Sequence, residues 1–195
     1  MGKKRKIGVF GGSFDPPHLG HICVAQFVAD KRQLDQVLFV VANVQWQKAA
    51  EKEMLEPSHR LAMVELAVEE SEIFCASSLE IERGGDSVTL ETLETLHAID
   101  PKARYELIIG VDNATTLSTW RRSEELEKYA EIIVVGRPGF QFEDVEKEFD
   151  FVMLDGPRID TSSAEIRSAV KMERGIDHLV PKSVADYIHR EGLYR

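Results

Sequence analysis

Short apolar runs alternate with amphipathic stretches along almost all of this 195-residue sequence. The runs carry near-continuous Val, Ile, Leu and Phe, as strands covered on both faces do. They predict strands at residues 6–10, 36–42, 73–77, 105–109, 131–135 and 151–154, and the stretches between them predict helices at 19–31, 58–70, 89–99, 123–129, 162–172 and 182–190. This alternation predicts an α/β fold with a doubly wound, Rossmann-like parallel sheet.

The length indicates a single domain over residues 1–195, with a helical part from about residue 157 onward. Ser58 and Ser162 each precede a helical pattern and are interpreted as N-caps. Unusual polar and glycine-containing segments follow five of the six predicted strands, at residues 11–21, 43–48, 110–112, 136–139 and 161–167. Because ligands of doubly wound sheets bind beyond the carboxyl ends of the strands, we expect these segments to converge on one site.

The first of these segments reads Gly-Gly-Ser-Phe-Asp-Pro-Pro-His-Leu-Gly-His and spans residues 11–21. Gly11 and Gly12 allow backbone amides to approach a ligand that a side chain would exclude. His18 and His21 are three residues apart, so they share one face of the first turn of the following helix. Imidazoles beside unpaired amides at a helix N-terminus favour an anion, and phosphate is the expected one. The alternative is a glycine-rich turn followed by surface histidines.

Bulk composition excludes several other classes of function. The net charge of −10 argues against general affinity for nucleic acid or an anionic membrane surface. Cys23 and Cys75 have no metal-ligand spacing, and two thiols in a chain of this size suggest reduced residues in a cytoplasmic protein. The apolar stretch after the basic residues 3–6 is too short for a signal peptide, and no stretch has the length of a transmembrane span.

A second phosphate-binding pattern lies late in the sequence. Ser162 and Ser163 open a predicted helix, where hydroxyls and backbone amides can face a phosphate. Arg167, on the same helix, offers several donors in a planar arrangement that suits phosphate oxygens. A Ser-Ser pair is also a common helix N-cap, and the two roles are compatible.

The chain resembles the bacterial nicotinate-nucleotide adenylyltransferases, within the HxGH nucleotidyltransferase superfamily. The resemblance runs almost end to end and includes GGSFDPPHLGH, SHRLAMVELA, LEIERGGDSVTLETL, ELIIGVD, STW, VVGRPG, SSAEIR and LVPKSVADYIHREGLY. It implies transfer of AMP from ATP to nicotinate mononucleotide in NAD biosynthesis, with release of pyrophosphate. It implies Mg²⁺ bound with ATP, held by phosphates and water and not by a protein cage.

The resemblance also implies residue roles. Catalysis is assigned to His18, His21, Lys48 and Arg167. Contacts with ATP are assigned to Gly11, Gly12, Ser13, Phe14, His18, His21, Gly110, Asp112, Arg137, Ser162, Ser163 and Arg167. Contacts with the acceptor are assigned to Ser13, Lys48, Thr89 and Trp120. Alone, Asp112 could be a helix N-cap, Arg137 an exposed loop residue and Trp120 a half-buried core residue.

Three positions depart from the family pattern. The segment 44–47 before Lys48 lacks the usual prolines and histidine, Val88 replaces a tyrosine, and Ala164 replaces a threonine. These departures leave open another acceptor, nicotinamide mononucleotide or phosphopantetheine. The phosphopantetheine enzymes usually carry threonine at the position of His18. A nucleotide-binding protein without catalysis is the alternative from a different class, and the sequence leaves a homo-oligomer open.

Overall fold

In the computed structural model, residues 4–44, 54–136, 145, 148–157, 159 and 161–195 are described. Six strands are β1 (Lys6–Gly12), β2 (Gln36–Val41), β3 (Phe74–Ser77), β4 (Arg104–Gly110), β5 (Ala130–Val135) and β6 (Phe151–Leu154). The α-helices of these ranges are α1 (Leu19–Arg32), α2 (Pro57–Val68), α3 (Leu79–Arg83), α4 (Thr89–Ile99), α5 (Val111–Ala114), α6 (Ser163–Lys171) and α7 (Lys182–Glu191). Two 3-10 helices, Leu117–Thr119 and Ser123–Lys128, lie between α5 and β5.

The strands form one parallel sheet in the order β3-β2-β1-β4-β5-β6, which confirms the predicted fold class. β1 pairs with β2 from Ile7↔Gln36 to Gly12↔Val41, and with β4 from Lys6↔Arg104 to Phe10↔Ile108. The chain builds outward from β1 to β3 and then returns to place β4 on the other side of β1. This reversal of strand order leaves a crevice at the carboxyl ends of β1 and β4, where such sheets bind ligands.

Apolar side chains cover both faces of the sheet because each strand alternates its side chains between the two. Leu107 and Ile109 lie in one core cluster with leucines of α4, whereas Ile108 lies in another with residues of α1 and α2. A third cluster joins α2, α6 and α7 and includes Met63, Ile166 and Ile188. Within the described part of the chain, no helix combines the length and apolarity needed to cross a bilayer.

All six predicted strands are present, each within two residues of its predicted bounds. The N-cap prediction for Ser58 was wrong, because α2 starts one residue earlier at Pro57 with Glu56 as its N-cap. Proline is favoured at the first helical position, since its missing N–H would be unpaired there in any case. The segment predicted as a helix at 123–129 is a 3-10 helix, and the short helices α3 and α5 were not predicted.

A buried carboxylate stabilises the sheet on the side of the amino ends of the strands. Glu106 on β4 is 2% exposed and accepts from Arg32 Nε at 2.7 Å, while Lys6 Nζ lies 3.0 Å from its other oxygen. The Glu106 hydrogen bond is the main cause of a raised pKa of Arg32. Arg32 also pairs with Glu131, a half-exposed residue of β5.

We expect Glu106→Gln to lower the free energy of unfolding by about 2 kcal/mol, because it removes the buried carboxylate that Lys6 and Arg32 share and leaves Arg32 paired only with half-exposed Glu131. Glu131→Gln is the matched control, since it removes an exposed partner of the same arginine and should cost less than about 1 kcal/mol. Urea denaturation of both variants measures the difference. Equal losses would show that burial of Glu106 adds nothing to its contribution.

Candidate active site

A cleft opens at the carboxyl edge of the sheet, at the reversal of strand order between β1 and β4. Within the described ranges it comprises two adjoining cavities that share Phe10, Gly11, Gly12, Gly110 and Asn113. The first cavity extends toward α3 and α4, and the second extends toward α1 and α6. Of the five segments predicted to converge on one site, residues 11–21, 110–112 and 161–167 each contribute to the lining of the second cavity, as does Gly136. Residues 45–48 and 137–139 of the other two segments lie outside the described residues.

Gly11 lies at the junction of the two cavities. Apart from its two neighbours in the chain, none of the described residues has an atom within 4 Å of the position that a Cβ on Gly11 would occupy. Among the described residues, a Cβ here would project into open space at the junction of the two cavities. Gly11 therefore leaves room for a ligand that reaches from one cavity into the other.

The loop after β1 is fastened by side chains from distant parts of the chain. Arg60 on α2 donates to Ser13 O at 2.8 Å, and Ser163 Oγ on α6 donates to Pro16 O, also at 2.8 Å. Arg167 Nη1 on α6 donates to Asp15 O at 2.8 Å. Each of these carbonyl oxygens belongs to the predicted phosphate-binding segment, so α2 and α6 together fix the shape of that loop.

His18 and His21 lie together at the start of α1, as their spacing predicted. Their rings stack with centroids 3.7 Å apart, and His18 is the N-cap residue of the helix. The backbone N–H of His18 donates to Nδ1 of His21 at 3.1 Å. Because Nδ1 accepts this bond, we assign the proton of neutral His21 to Nε2. His21 lines the second cavity and can present that N–H to an anion there.

The position directly before His21, which is Gly20, has no room for a side chain. A Cβ at Gly20 would lie 2.9 Å from Nδ1 of His18, closer than a side chain tolerates. A larger residue would displace the His18 ring from its stacked position. The glycine of this motif is therefore a packing requirement of the histidine pair.

The start of α6 supplies further groups to the second cavity. Ser162 Oγ accepts from the backbone N–H of Glu165 at 3.2 Å, which confirms its predicted role as N-cap. The Ser163 hydroxyl donates to Pro16 O, so its proton is directed at the loop and not at the cavity. Ser162, Ser163, Ala164 and Arg167 all line this cavity. The backbone amides of the first turn and the Arg167 guanidinium are its donors on this side.

Gly110 and Asp112 lie at the carboxyl end of β4 and also line the second cavity. Asp112 is in the first turn of α5, whose N-cap is Gly110. The alternative interpretation of Asp112 as an N-cap for the following residues was therefore wrong.

Two of the four residues expected to contact the acceptor line the first cavity, whereas Ser13 lines the second. Thr89 begins α4 and Trp120 follows the first 3-10 helix, and both line the first cavity. Trp120 is half-buried and packs on the core. It is therefore both a half-buried core residue and a residue that lines the cavity. Val88, at the position of the usual tyrosine, is 5% exposed and belongs to the same core cluster. It supplies apolar packing there and no aromatic ring.

Several polar residues of the cleft were not identified from the sequence. Glu80 is a buried carboxylate lining the first cavity and accepts from Thr92 Oγ1 at 2.6 Å. Arg121 lines the same cavity and lies 2.7 Å from a carboxylate oxygen of Asp86. Glu80 is on the short helix α3 and Arg121 is in a turn far from it in the sequence. Only the folded chain brings the two to one cavity, so no local sequence pattern identifies them.

Two predicted site residues, Lys48 and Arg137, lie outside the described residues. Across the described ranges, His, Cys, Asp and Glu side chains form no group of three or more that could hold a metal ion.

Comparison with known proteins agrees with this geometry. Residues 9–169 match the cytidylyltransferase-like family, which defines the chain as a nucleotidyltransferase. A "Probable nicotinate-nucleotide adenylyltransferase" of Lactiplantibacillus plantarum is 37% identical over 190 residues, covering 97% of this chain and 88% of that protein. A protein of the same name from Thermus thermophilus is 39% identical over 191 residues, covering 97% and 100%. The chain belongs to the nicotinate-nucleotide adenylyltransferase family.

Solved structures with the same fold include the Plasmodium falciparum nicotinic acid mononucleotide adenylyltransferase complexed with NaAD. It has a TM-score of 0.80 at 21% identity and covers 97% of both chains. The complex of that protein with APC has a TM-score of 0.78 at 20% identity, with the same coverage. At these identities the likeness establishes the fold.

Proposed function

We propose that this enzyme transfers AMP from ATP to nicotinate mononucleotide. An oxygen of the mononucleotide phosphate attacks the α-phosphorus of ATP and forms the new P–O bond. The bond from the α-phosphorus to the bridging oxygen breaks, and pyrophosphate leaves with the electron pair. The products are nicotinate adenine dinucleotide and pyrophosphate, a step of NAD biosynthesis.

The observation that carries this proposal is the junction of the two cavities at Gly11 and Gly12. Transfer between two nucleotides requires the attacking phosphate and the α-phosphate to lie in line and close together. Two cavities that meet over bare backbone allow both phosphates to approach from opposite sides. One cavity carries donors suited to phosphates, and the other carries an aromatic ring suited to a pyridine.

On the ATP side, His21 Nε2–H donates to the α-phosphate, where negative charge accumulates in the transition state. His18 supports it by stacking and contacts the phosphates. Arg167 and the amides at the start of α6, with Ser162 and Ser163, hold the β- and γ-phosphates. Gly12, Ser13 and Phe14 form the floor beneath them, while Gly110 and Asp112 receive the ribose.

On the acceptor side, Trp120 stacks on the pyridine ring, and the backbone at Thr89, which opens α4, receives its carboxylate. Ser13 follows Gly12 in the loop, lines the second cavity and contacts the mononucleotide phosphate. By resemblance to the family, we expect Lys48 to contact the substrate phosphates and Arg137 to lie near the adenosine or the phosphates of ATP.

Mg²⁺ is the expected companion of ATP. With no cluster of three or more candidate metal ligands in the described ranges, the ion would be coordinated mainly by phosphate oxygens and water. The ion would neutralise part of the negative charge of the triphosphate. His21 and Arg167 would neutralise a further part from the protein side.

The test is a screen of acceptors with pyrophosphate release as the readout. Wild-type protein, ATP and Mg²⁺ are combined in parallel with nicotinate mononucleotide, nicotinamide mononucleotide or phosphopantetheine. We expect the highest kcat/KM with nicotinate mononucleotide. Turnover only with another acceptor would contradict the substrate assignment and retain the reaction class. Tight ATP binding by calorimetry without product from any acceptor would contradict catalysis itself.

A further inference from the structure

The segment after α7 folds back into the interior of the protein. Gly192, with φ of +64°, ends the helix, and Leu193 N–H donates to Ile188 O at 3.1 Å. Leu193 and Tyr194 are then buried in the cluster formed by α2, α6 and α7. This reversal brings Tyr194 from one end of the sequence to the underside of the loop that follows β1.

The Tyr194 hydroxyl reaches a buried carboxylate in that loop. Its Oη donates to Asp15 Oδ1 at 2.6 Å, and Asp15 is only 3% exposed. Burial, together with the charge of Asp15, raises the pKa of Tyr194 far above its ordinary value. The phenol therefore remains a protonated donor throughout the working range of pH.

Asp15 is in turn connected to the cation of the phosphate site. Its backbone carbonyl accepts from Arg167 Nη1 at 2.8 Å, and its Oδ2 lies 4.0 Å from the same nitrogen. The charge of Asp15 also acts on buried Arg60, where it partly offsets the burial that lowers the pKa of this arginine. The orientation of Asp15 thus affects the guanidinium that lines the second cavity and the arginine that holds Ser13.

We propose that Tyr194 is a positioning residue for adenylyl transfer, acting through Asp15 to orient Arg167 toward the triphosphate. The inference rests on the proposed function. Its basis is a pair of hydrogen bonds that meet at Asp15: Tyr194 Oη donates to the carboxylate, and Arg167 Nη1 donates to the backbone carbonyl of the same residue. Small displacements of positioning groups reduce rates strongly even when they lie away from the reacting atoms.

The test compares Tyr194→Phe with Tyr187→Phe in the whole chain. Tyr187, on α7, also makes one side-chain hydrogen bond, 2.9 Å from His59 Nδ1, and lines neither cavity. We expect Y194F to lower kcat/KM for ATP about 10- to 100-fold. KM for nicotinate mononucleotide should change by less than about twofold, and Y187F should match the wild type. The assays are run at 10 °C so that a destabilised variant stays folded, and circular dichroism at the same temperature measures whether it does.

A mutant cycle with Arg167→Ala separates positioning from general packing. If Tyr194 acts through Arg167, Y194F should cause less than about a twofold further loss in the R167A background. Equal fractional losses in both backgrounds, or equal effects of Y194F and Y187F, would overturn the inference. Wild-type protein that makes no product would instead contradict the proposed function. In that case the ATP dissociation constants of wild type and Y194F, measured by calorimetry, still test the inference.

Discussion

Replacement of His21 by alanine is expected to lower kcat for pyrophosphate release about 100- to 1000-fold, the usual effect of removing one donor to a developing negative charge. The donor is Nε2–H, since His21 Nδ1 accepts from the backbone of His18. The variant also loses this capping bond and a ring contact with Phe14, whose centroid is 5.1 Å away. We expect the free energy of unfolding to fall by only about 1–2 kcal/mol.

His21→Gln provides the matched control for capping. Glutamine at the third helical position can accept from the backbone of the N-cap residue, as it does in a capping box. H21Q should therefore recover part of the lost stability without recovering kcat, because its amide is not placed as the imidazole Nε2 is. Thermal unfolding and initial rates of pyrophosphate release measure the two effects. A large fall in melting temperature, with kcat restored at low temperature, would identify His21 as a structural residue.

The architecture was predictable because its signal is local and repeated. Each strand is a short run of apolar residues, and a parallel sheet with both faces covered requires such runs. The elements that were missed or misassigned are short ones, such as α3 and the 3-10 helix over Ser123–Lys128. Their few residues do not span enough turns to produce a hydrophobic period, so tertiary contacts determine their conformation.

The candidate site was predictable where its residues lie in compact motifs. His18 and His21 are three residues apart in the sequence, and Arg167 is on the helix that Ser162 caps. The supporting residues Arg60 and Tyr194 are far from these motifs in sequence, and only the folded chain brings them to Ser13 and Asp15. Long-range contacts of this kind leave no spacing pattern, so sequence reasoning did not find them.

Gly11→Val is expected to leave the fold intact and to lower kcat/KM for both substrates at least about 100-fold. Apart from its chain neighbours, no described residue has an atom within 4 Å of the added Cβ, and β-branched residues are favourable in strands. The free energy of unfolding should therefore change by less than about 1 kcal/mol. The valine side chain would occupy the junction of the two cavities and hold the reacting phosphates apart. Urea denaturation and steady-state kinetics with each substrate varied in turn measure both effects.

Gly175→Val is the matched control, because a side chain at Gly175 would also enter open space and this residue lines neither cavity. The nearest atom to its added Cβ is Asp177 Oδ2, at 3.9 Å. G175V should retain wild-type kinetics, so that loss of activity in G11V reports on the cleft and not on replacement of a glycine. Wild-type kcat/KM in G11V would place the path between the two substrates elsewhere than over Gly11, and would remove the main support for the proposed reaction geometry.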